Sequence, residues 1–209
     1  MSIIEIYASG PVETNSIFVC LETSSSGILF DTPPQSVAHW KQRLRDLGKS
    51  VGAILFTHSH WDHIADAALA KKEWNPPLFI HQEDRMNLEK PGSDGLPLWF
   101  KIEGVDSDRS VKHGDKEVIC GIQVEVLHTP GHTPGCVCYY LSELDILISG
   151  DTLFQGTIGR LDLPTARQSL MKGSLELLLK LPGKTVVLPG HGDKTTIESE
   201  QHIIERYFL

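Results

Sequence analysis

The sequence predicts an α/β (α+β) chain folded as a four-layer αββα sandwich, and two observations carry that expectation. Apolar strand-like runs followed by a helix occur in each half of the chain, in the same order. Stacking two such halves buries one face of each sheet against the other and leaves helices to cover the outer faces. At 209 residues the chain can bury a substantial core yet stays within the size of one ordinary domain, so residues 1–209 are expected to form one.

The segments IIEIYA, NSIFVCLE and GILFD are short apolar, β-branched runs separated by Gly, Pro and Ser, the pattern of an antiparallel meander. Over residues 35–46, Val37, Trp40 and Leu44 recur at helical spacing, Leu47 continues the stripe and Gly48 offers a stop. Residues 51–56 form a continuous apolar run suited to a buried strand, followed by a His-rich turn, a helix over 64–73 and a strand over 77–81. This is a βαβ unit with its histidines at the strand-to-helix turn. The second half predicts strands at 117–119, 122–127, 137–141 and 146–149, a helix over 166–180, a strand over 185–188 and a final helix after Thr196. Residues 90–108, rich in Gly, Pro and Asp around the patch Leu96-Pro97-Leu98-Trp99-Phe100, fit neither period and read as a flap or a structured crossover.

The formal charge of -8 arises from 27 acidic against 19 basic residues, with no run of Lys or Arg longer than two. A phosphate backbone would meet a repulsive surface, so no nucleic-acid partner is expected. The opening MSIIEIYASG has neither a basic nor an apolar leader region, and no stretch approaches the ~20 apolar residues of a membrane span. A soluble, cytoplasmic protein is the expectation. Cys20, Cys120, Cys136 and Cys138 are too few and irregular for a disulfide framework and are expected to be buried thiols without a role.

The run Thr57-His58-Ser59-His60-Trp61-Asp62-His63 carries the strongest chemical signal, four metal-ligand side chains in six positions after a buried strand. In an extended segment His58 and His60 point the same way. Asp62 and His63 follow where the chain turns into a helix, so they face the same cavity from another side and can reach a second ion. Imidazole and carboxylate donors suit zinc, iron, manganese or nickel. Three further segments each offer one ligand after an apolar strand and a glycine: His132, Asp151 and His191. A glycine there permits positive φ and close backbone approach, presenting a side chain at the end of a sheet. His39, His81, His113 and His202 read as ordinary hydrogen-bonded histidines; so does His128, although it lies close enough to His132 to orient a ligand instead.

The series THSHWDH, TPGHTPG, SGDTLF and PGHG, with GILFDTP ending a strand at Asp31, resembles the metallo-β-lactamase superfamily over essentially the whole chain. Within it, GDTLFQGTIGRLDLP is similar to glyoxalase II, the hydroxyacylglutathione hydrolases, and to its single-domain relatives. The resemblance implies the metallo-β-lactamase fold and two divalent metal ions, zinc first, with iron or manganese as alternatives. It implies that His58, His60 and His132 hold one metal, that Asp62, His63 and His191 hold the other, and that Asp151 bridges them. The implied activity is hydrolysis of a small-molecule thioester such as S-lactoylglutathione, with Asp62 and Asp151 as catalytic residues. Two cations would stabilise a bridging hydroxide, polarise the carbonyl and offset the oxyanion, while Asp62 orients the nucleophile or handles its proton. No Ser or Cys paired with a base suggests an acyl-enzyme route. Arg160 is placed either behind the ligands, bonded to a carboxylate, or in an ordinary ion pair.

Full-length glyoxalase II carries a C-terminal helical domain that supplies much of its glutathione contact, whereas 18 residues follow His191 here, room for one helix. The thiol carrier is therefore open, as is the oligomeric state. A mono-iron persulfide dioxygenase has similar motifs and binds its iron through residues matching His58, His132 and Asp151, but Gly156-Thr157-Ile158-Gly159-Arg160 looks closer to the hydrolase version. Lactamases typically lack the bridging carboxylate that Asp151 would provide, and the acidic surface disfavours the nuclease relatives. A non-enzymatic metal-binding protein of the same fold is the remaining alternative, against which the intact ligand set speaks.

Overall fold

The computed structural model describes residues 1–207. Its first half runs β1 (Ser2–Ser9), β2 (Thr14–Leu21), β3 (Ser26–Phe30), α1 (Ser36–Leu47), β4 (Ser50–Leu55), α2 (Trp61–Ile64), α3 (Ala67–Trp74), β5 (Leu78–His81), α4 (Arg85–Glu89) and β6 (Arg109–Val111). These strands form one sheet in the order β1-β2-β3-β4-β5-β6, antiparallel across β1 to β3 and parallel from β3 to β6. The meander and the βαβ unit both form as expected.

The second half contributes β7 (Lys116–Ile119), β8 (Ile122–His128), β9 (Val137–Leu141), β10 (Ile146–Gly150), β11 (Leu153–Phe154), β12 (Thr157–Ile158), α5 (Gln168–Leu178), β13 (Val186–Pro189), β14 (Thr195–Thr196) and α6 (Ile197–Arg206). The second sheet is ordered β14-β13-β10-β9-β8-β7, and β11 and β12 pair as a separate ribbon. Only β10 and β13 run parallel in it.

Alternation along the strands builds the layers. In β2, Ile17 and Val19 face the second sheet, where they join Val124, Val126, Val137, Tyr139 and Ile148. Phe18 and Cys20 face the other way, into a core closed by Val37, Trp40 and Leu44 of α1 and by Ala67 and Ala70 of α3. On the far side Cys138, Tyr140 and Leu147 pack under Met171, Leu175 and Leu178 of α5 and Ile204 of α6. The order helix, sheet, sheet, helix is the predicted αββα sandwich. Among the described residues no helix is long and apolar enough to cross a membrane.

Two details depart from expectation, and a third decides between two alternatives. The helix predicted over 64–73 is two helices: Asp66 donates its N–H to Thr32 O at 2.9 Å and its carboxylate accepts from Val37 N at 3.1 Å, so bonds to α1 and its approach interrupt the helical ladder. All four cysteines are free, but Cys120 is half-buried, in the turn between β7 and β8 with φ 51°. Residues 90–108 form an irregular crossover from α4 to β6, held by Asn87, whose Oδ1 accepts from Gly92 N and whose Nδ2 donates to Asp94, both at 2.9 Å.

Candidate metal centre

The loops that follow β3, β4, β8, β10 and β13 meet at one rim of the sandwich. After β4 the chain stays extended through His60, which has φ -60° and ψ 146° at the N-terminus of α2. The first turn of α2 then presents Asp62 and His63. The ring centroids of His58 and His60 lie 4.8 Å apart, and His132 approaches them at 5.0 and 4.4 Å. At the other end His63 Nε2 and His191 Nε2 lie 3.4 and 3.3 Å from Asp62 Oδ2. Within each trio, His58/His60/His132 and Asp62/His63/His191, the potential ligand atoms fall within 4.8 Å of one another. Asp151 stands between them, 3.3 Å from His132 Nε2 through one oxygen and 3.3 Å from His63 Nε2 through the other. The structure thus brings all seven residues singled out in the sequence to one place.

Four of the five imidazoles are aimed by what their other nitrogen does. His132 Nδ1 donates to Arg160 O at 2.8 Å, His191 Nδ1 to Val12 O at 3.0 Å and His63 Nδ1 to Asp31 Oδ2 at 2.8 Å. Thr57 Oγ1 gives its proton to Asp31 Oδ2 at 2.7 Å and so accepts from His58 Nδ1 at 3.1 Å. Fixing the proton on Nδ1 leaves the Nε2 lone pair for the cavity.

What those lone pairs meet is the test of whether a cation fits. The Nε2 atoms of His58, His60, His63 and His132 and one oxygen of Asp151 are buried without a hydrogen-bond partner. Five such atoms converging on one spot would be a heavy penalty for a purely structural cluster. Burial drives His58 far below the ordinary histidine range and His60 to about 3, with neighbouring imidazoles adding to it, so both offer neutral nitrogens. Asp62 is lowered to about 2: burial is the largest influence and opposes the shift, but His63, His191 and Thr14 outweigh it. Asp151 is held well below the carboxylate range, again against burial, by His63 and His191. His63 and His191 are shifted upwards, His191 to about 9: burial opposes the shift, but the carboxylates of Asp62 and Asp151 outweigh it, so a cation between the same groups would take the place of those protons. Imidazoles beside ionised carboxylates are the donor set of a divalent transition-metal site.

Glycines make the approach possible, not always as expected. Of the three that precede the single ligands, only Gly150 has positive φ, 48°. A Cβ there would lie 2.5 Å from Thr57 Cβ. Gly190 has ordinary φ, but its Cβ would collide with Asp151 Oδ1 and His63 Cε1, which explains a glycine against the ligands.

Several supporting residues were not legible as such. Asp31 has no assigned role in the sequence beyond ending a strand, yet it also accepts from Thr57 N at 2.8 Å. Thr14 Oγ1 donates to Asp62 Oδ2 at 2.7 Å. Buried Asp84 accepts from Ser59 N, Thr133 Oγ1 and Gly135 N at 2.9, 2.8 and 2.7 Å, tying the loop of His58 and His60 to that of His132. Arg160 resolves as the ordinary ion pair: its side chain is exposed and bonds Asp162, while only its carbonyl touches a ligand. His128 stacks on His81 at 4.0 Å and bonds Pro134 O at 2.8 Å, so it orients no ligand.

The trios open into a cavity of about 860 Å³. Trp61, Leu96 and Trp99 form one wall and Phe154, Ile158 and Leu163 another. The crossover 90–108 is therefore structured, and its apolar patch also lines the cavity.

Fold and site together define a metal-dependent hydrolase class, and comparison with known proteins gives it a family. The model of the metallo-beta-lactamase superfamily matches residues 9–191, and the chain belongs to that superfamily. It is 38% identical to the Bacillus subtilis (strain 168) protein named "Probable metallo-hydrolase YqgX" over 92% of this chain and 91% of that one. It is 32% identical to the hydroxyacylglutathione hydrolase GloC of Haemophilus influenzae over 77% of each chain. Among solved structures, BLEG-1, a B3 metallo-beta-lactamase, superposes with a TM-score of 0.90 at 31% identity, covering 96% of this chain and 97% of that one. TTHA1623 in a di-iron-bound form superposes at 0.78 with 33% identity, covering 94% and 96%.

Proposed function

We propose that the protein is a binuclear metal-dependent thioester hydrolase, of the kind that cleaves S-lactoylglutathione. The convergence of five unpartnered buried donor atoms carries the metal part of this reading, and the similarity to a hydroxyacylglutathione hydrolase supports the thioester part. His58, His60 and His132 would hold one divalent ion and Asp62, His63 and His191 the other, with the Asp151 carboxylate available to both trios. Zinc is the proposed metal, with iron the nearest rival, since a similar structure is di-iron-bound and His/Asp sites order ions by availability as well as affinity. Bound there, such a pair supplies positive charge for the carbonyl oxygen and an activated water.

The chain's own residues do the rest. The Thr14 hydroxyl bonds Asp62 Oδ2 and fixes the carboxylate, which is held ionised and orients the attacking water. Asp151, held ionised, keeps the two ligand trios in register. Trp61 and Trp99 line the cavity beside them. The substrate is a small molecule; the net charge of -8 makes nucleic acid an improbable alternative partner, and the cytoplasm is the proposed compartment.

Elemental analysis of protein purified without added metal, coupled to S-lactoylglutathione hydrolysis, a β-lactam assay and oxygen uptake with glutathione persulfide, tests the reading. Near two metals per chain with thioester cleavage supports it. One iron per chain with oxygen consumption assigns a persulfide dioxygenase instead, and turnover of the β-lactam alone assigns a lactamase. Fully metallated protein inert towards all three and towards other thioesters is a metal-binding protein without this activity.

A further inference from the structure

The cavity beside the ligands has a chemical character that the thioester reading does not specify. Trp61 lies between His60 and Asp62 in the sequence and is buried at 7% exposure, so its ring forms the floor next to both trios. On it sits Trp99, 62% exposed, with ring centroids 5.1 Å apart and planes at 34°. Phe100 meets the same floor edge-on at 5.7 Å. A large, solvent-facing aromatic ring held over a buried one is a shelf with its outer face free, and Leu96 and Pro97 extend it.

Charge points the same way. Arg160 is the only Lys or Arg among the described residues lining the cavity, and its Nε and Nη2 are engaged by Asp162, at 2.9 and 2.8 Å. The remaining charged wall residues besides the ligands amount to Asp193. Apart from the proposed metals, a thiol carrier with two carboxylates, such as glutathione, finds no side-chain cation here that is not already paired with a carboxylate. Pockets of roughly 300–1,000 Å³ enclose most of a small ligand's surface, and this one offers that surface mainly apolar and aromatic contact.

We infer that the Trp61–Trp99 shelf is an acyl subsite, and that the substrate is a thioester with an apolar aliphatic or aromatic acyl group on a carrier of little net negative charge. This rests on the thioester hydrolase reading and deepens it. In the reaction water gives its hydroxyl to the acyl carbon, the C–S bond breaks, and the sulfur leaves as a thiol with the remaining proton, so no oxidant or co-reactant is needed. The acyl group lies along the shelf with its carbonyl towards the ligands.

The experiment uses zinc-loaded, full-length protein and the acetyl, butanoyl, hexanoyl and phenylacetyl thioesters of N-acetylcysteamine, an uncharged carrier, alongside S-lactoylglutathione. Burying a methylene on the shelf is expected to raise kcat/KM about two- to fourfold per group along the aliphatic series, with hexanoyl and phenylacetyl exceeding S-lactoylglutathione. Trp99→Ala is expected to cut the hexanoyl-to-acetyl ratio at least about fivefold, and Trp99→Phe to restore most of it; metal content, measured in each variant, separates a lost shelf from a lost centre. Thioester turnover with no dependence on acyl length, a preference for S-lactoylglutathione, or an unchanged ratio in a fully metallated Trp99→Ala overturns the subsite alone. No turnover of any thioester overturns the hydrolase reading and the subsite with it.

Discussion

Two groups of histidines in this molecule invite comparison. At the rim, His58, His63, His132 and His191 each commit Nδ1 to a neighbour and leave Nε2 facing the cavity. On the outside, His81 and His128 stack at 4.0 Å with planes 14° apart, and His128 has given its Nε2 to Pro134 O. Both groups are histidine-rich, both sit at strand ends, and in both the potential donor atoms lie close together. The difference lies in what stands behind and between the rings. The rim has Asp31 behind it and the carboxylates of Asp62 and Asp151 between its rings, whereas only exposed Glu83 joins the outer pair. Proximity of imidazoles does not make a cation site; held tautomers and buried negative charge do.

Breaking the rim should therefore cost far more than breaking the outer pair. Asp151→Ala removes the carboxylate shared by both trios, and we expect metal content to fall from two towards one or none and thioester turnover to drop by about 10³-fold, the upper range for losing one charge-stabilising group. Elemental analysis of the variant decides it, since undiminished metal content would overturn the bridging assignment. Asp31→Asn leaves every ligand in place and weakens only the support behind His58 and His63. Chelator competition should show a metal affinity 10- to 100-fold lower, about the range for such supporting groups, and an unchanged affinity would mean that tautomer control does not matter here.

The outer pair sharpens the contrast from the other side. His128→Ala should keep full metal content and stay within about threefold of wild-type turnover, the scale of a surface change away from the chemistry. A loss as complete as in His132→Ala would show that the two groups are functionally one. The smallest effect is on acid stability. Burial, with His128 second, lowers His81 to about 4 from an unfolded value near 6.5, so the folded state resists its protonation. Its contribution is present above pH 6.5 and is lost as pH falls towards 4. His81→Gln removes that penalty, and denaturant midpoints should decline less between pH 7 and pH 4 than in wild type. An equal decline would show that His81 is not protonated on unfolding in that window.

Much of this was legible in the sequence, for physical reasons that also mark its limits. The ligand run 58–63 declares itself because metal ligands at that density after a buried strand have no common structural use. The sandwich declares itself through apolar periodicity. Asp84 could not declare itself: its partners Ser59 and Gly135 lie 25 and 51 residues away and become neighbours only when the sheets pack. The same holds for Asp31 and His63, 32 residues apart. The break at Asp66 was hidden because the residue has a helical neighbourhood and is drawn out of it by Thr32 and Val37. Trp99 lies in a stretch with no period at all, so only the fold reveals which wall it builds.

Asn15 carries a different consequence. Its side-chain amide donates to Pro189 O and Gly192 O, across 174 and 177 residues of chain, and Thr14 bridges to His191 beside it. Contacts of such separation form late, because the entropy of closing the intervening loop must be overcome before they stabilise anything. A growing polypeptide therefore emerges from the ribosome with His58, His60, Asp62 and His63 in hand long before His132, Asp151 and His191 exist. On the proposed ligand assignment, more than half of the metal-binding set is therefore made before the rest exists, and neither trio is complete until the segments that carry His132 and His191 have docked.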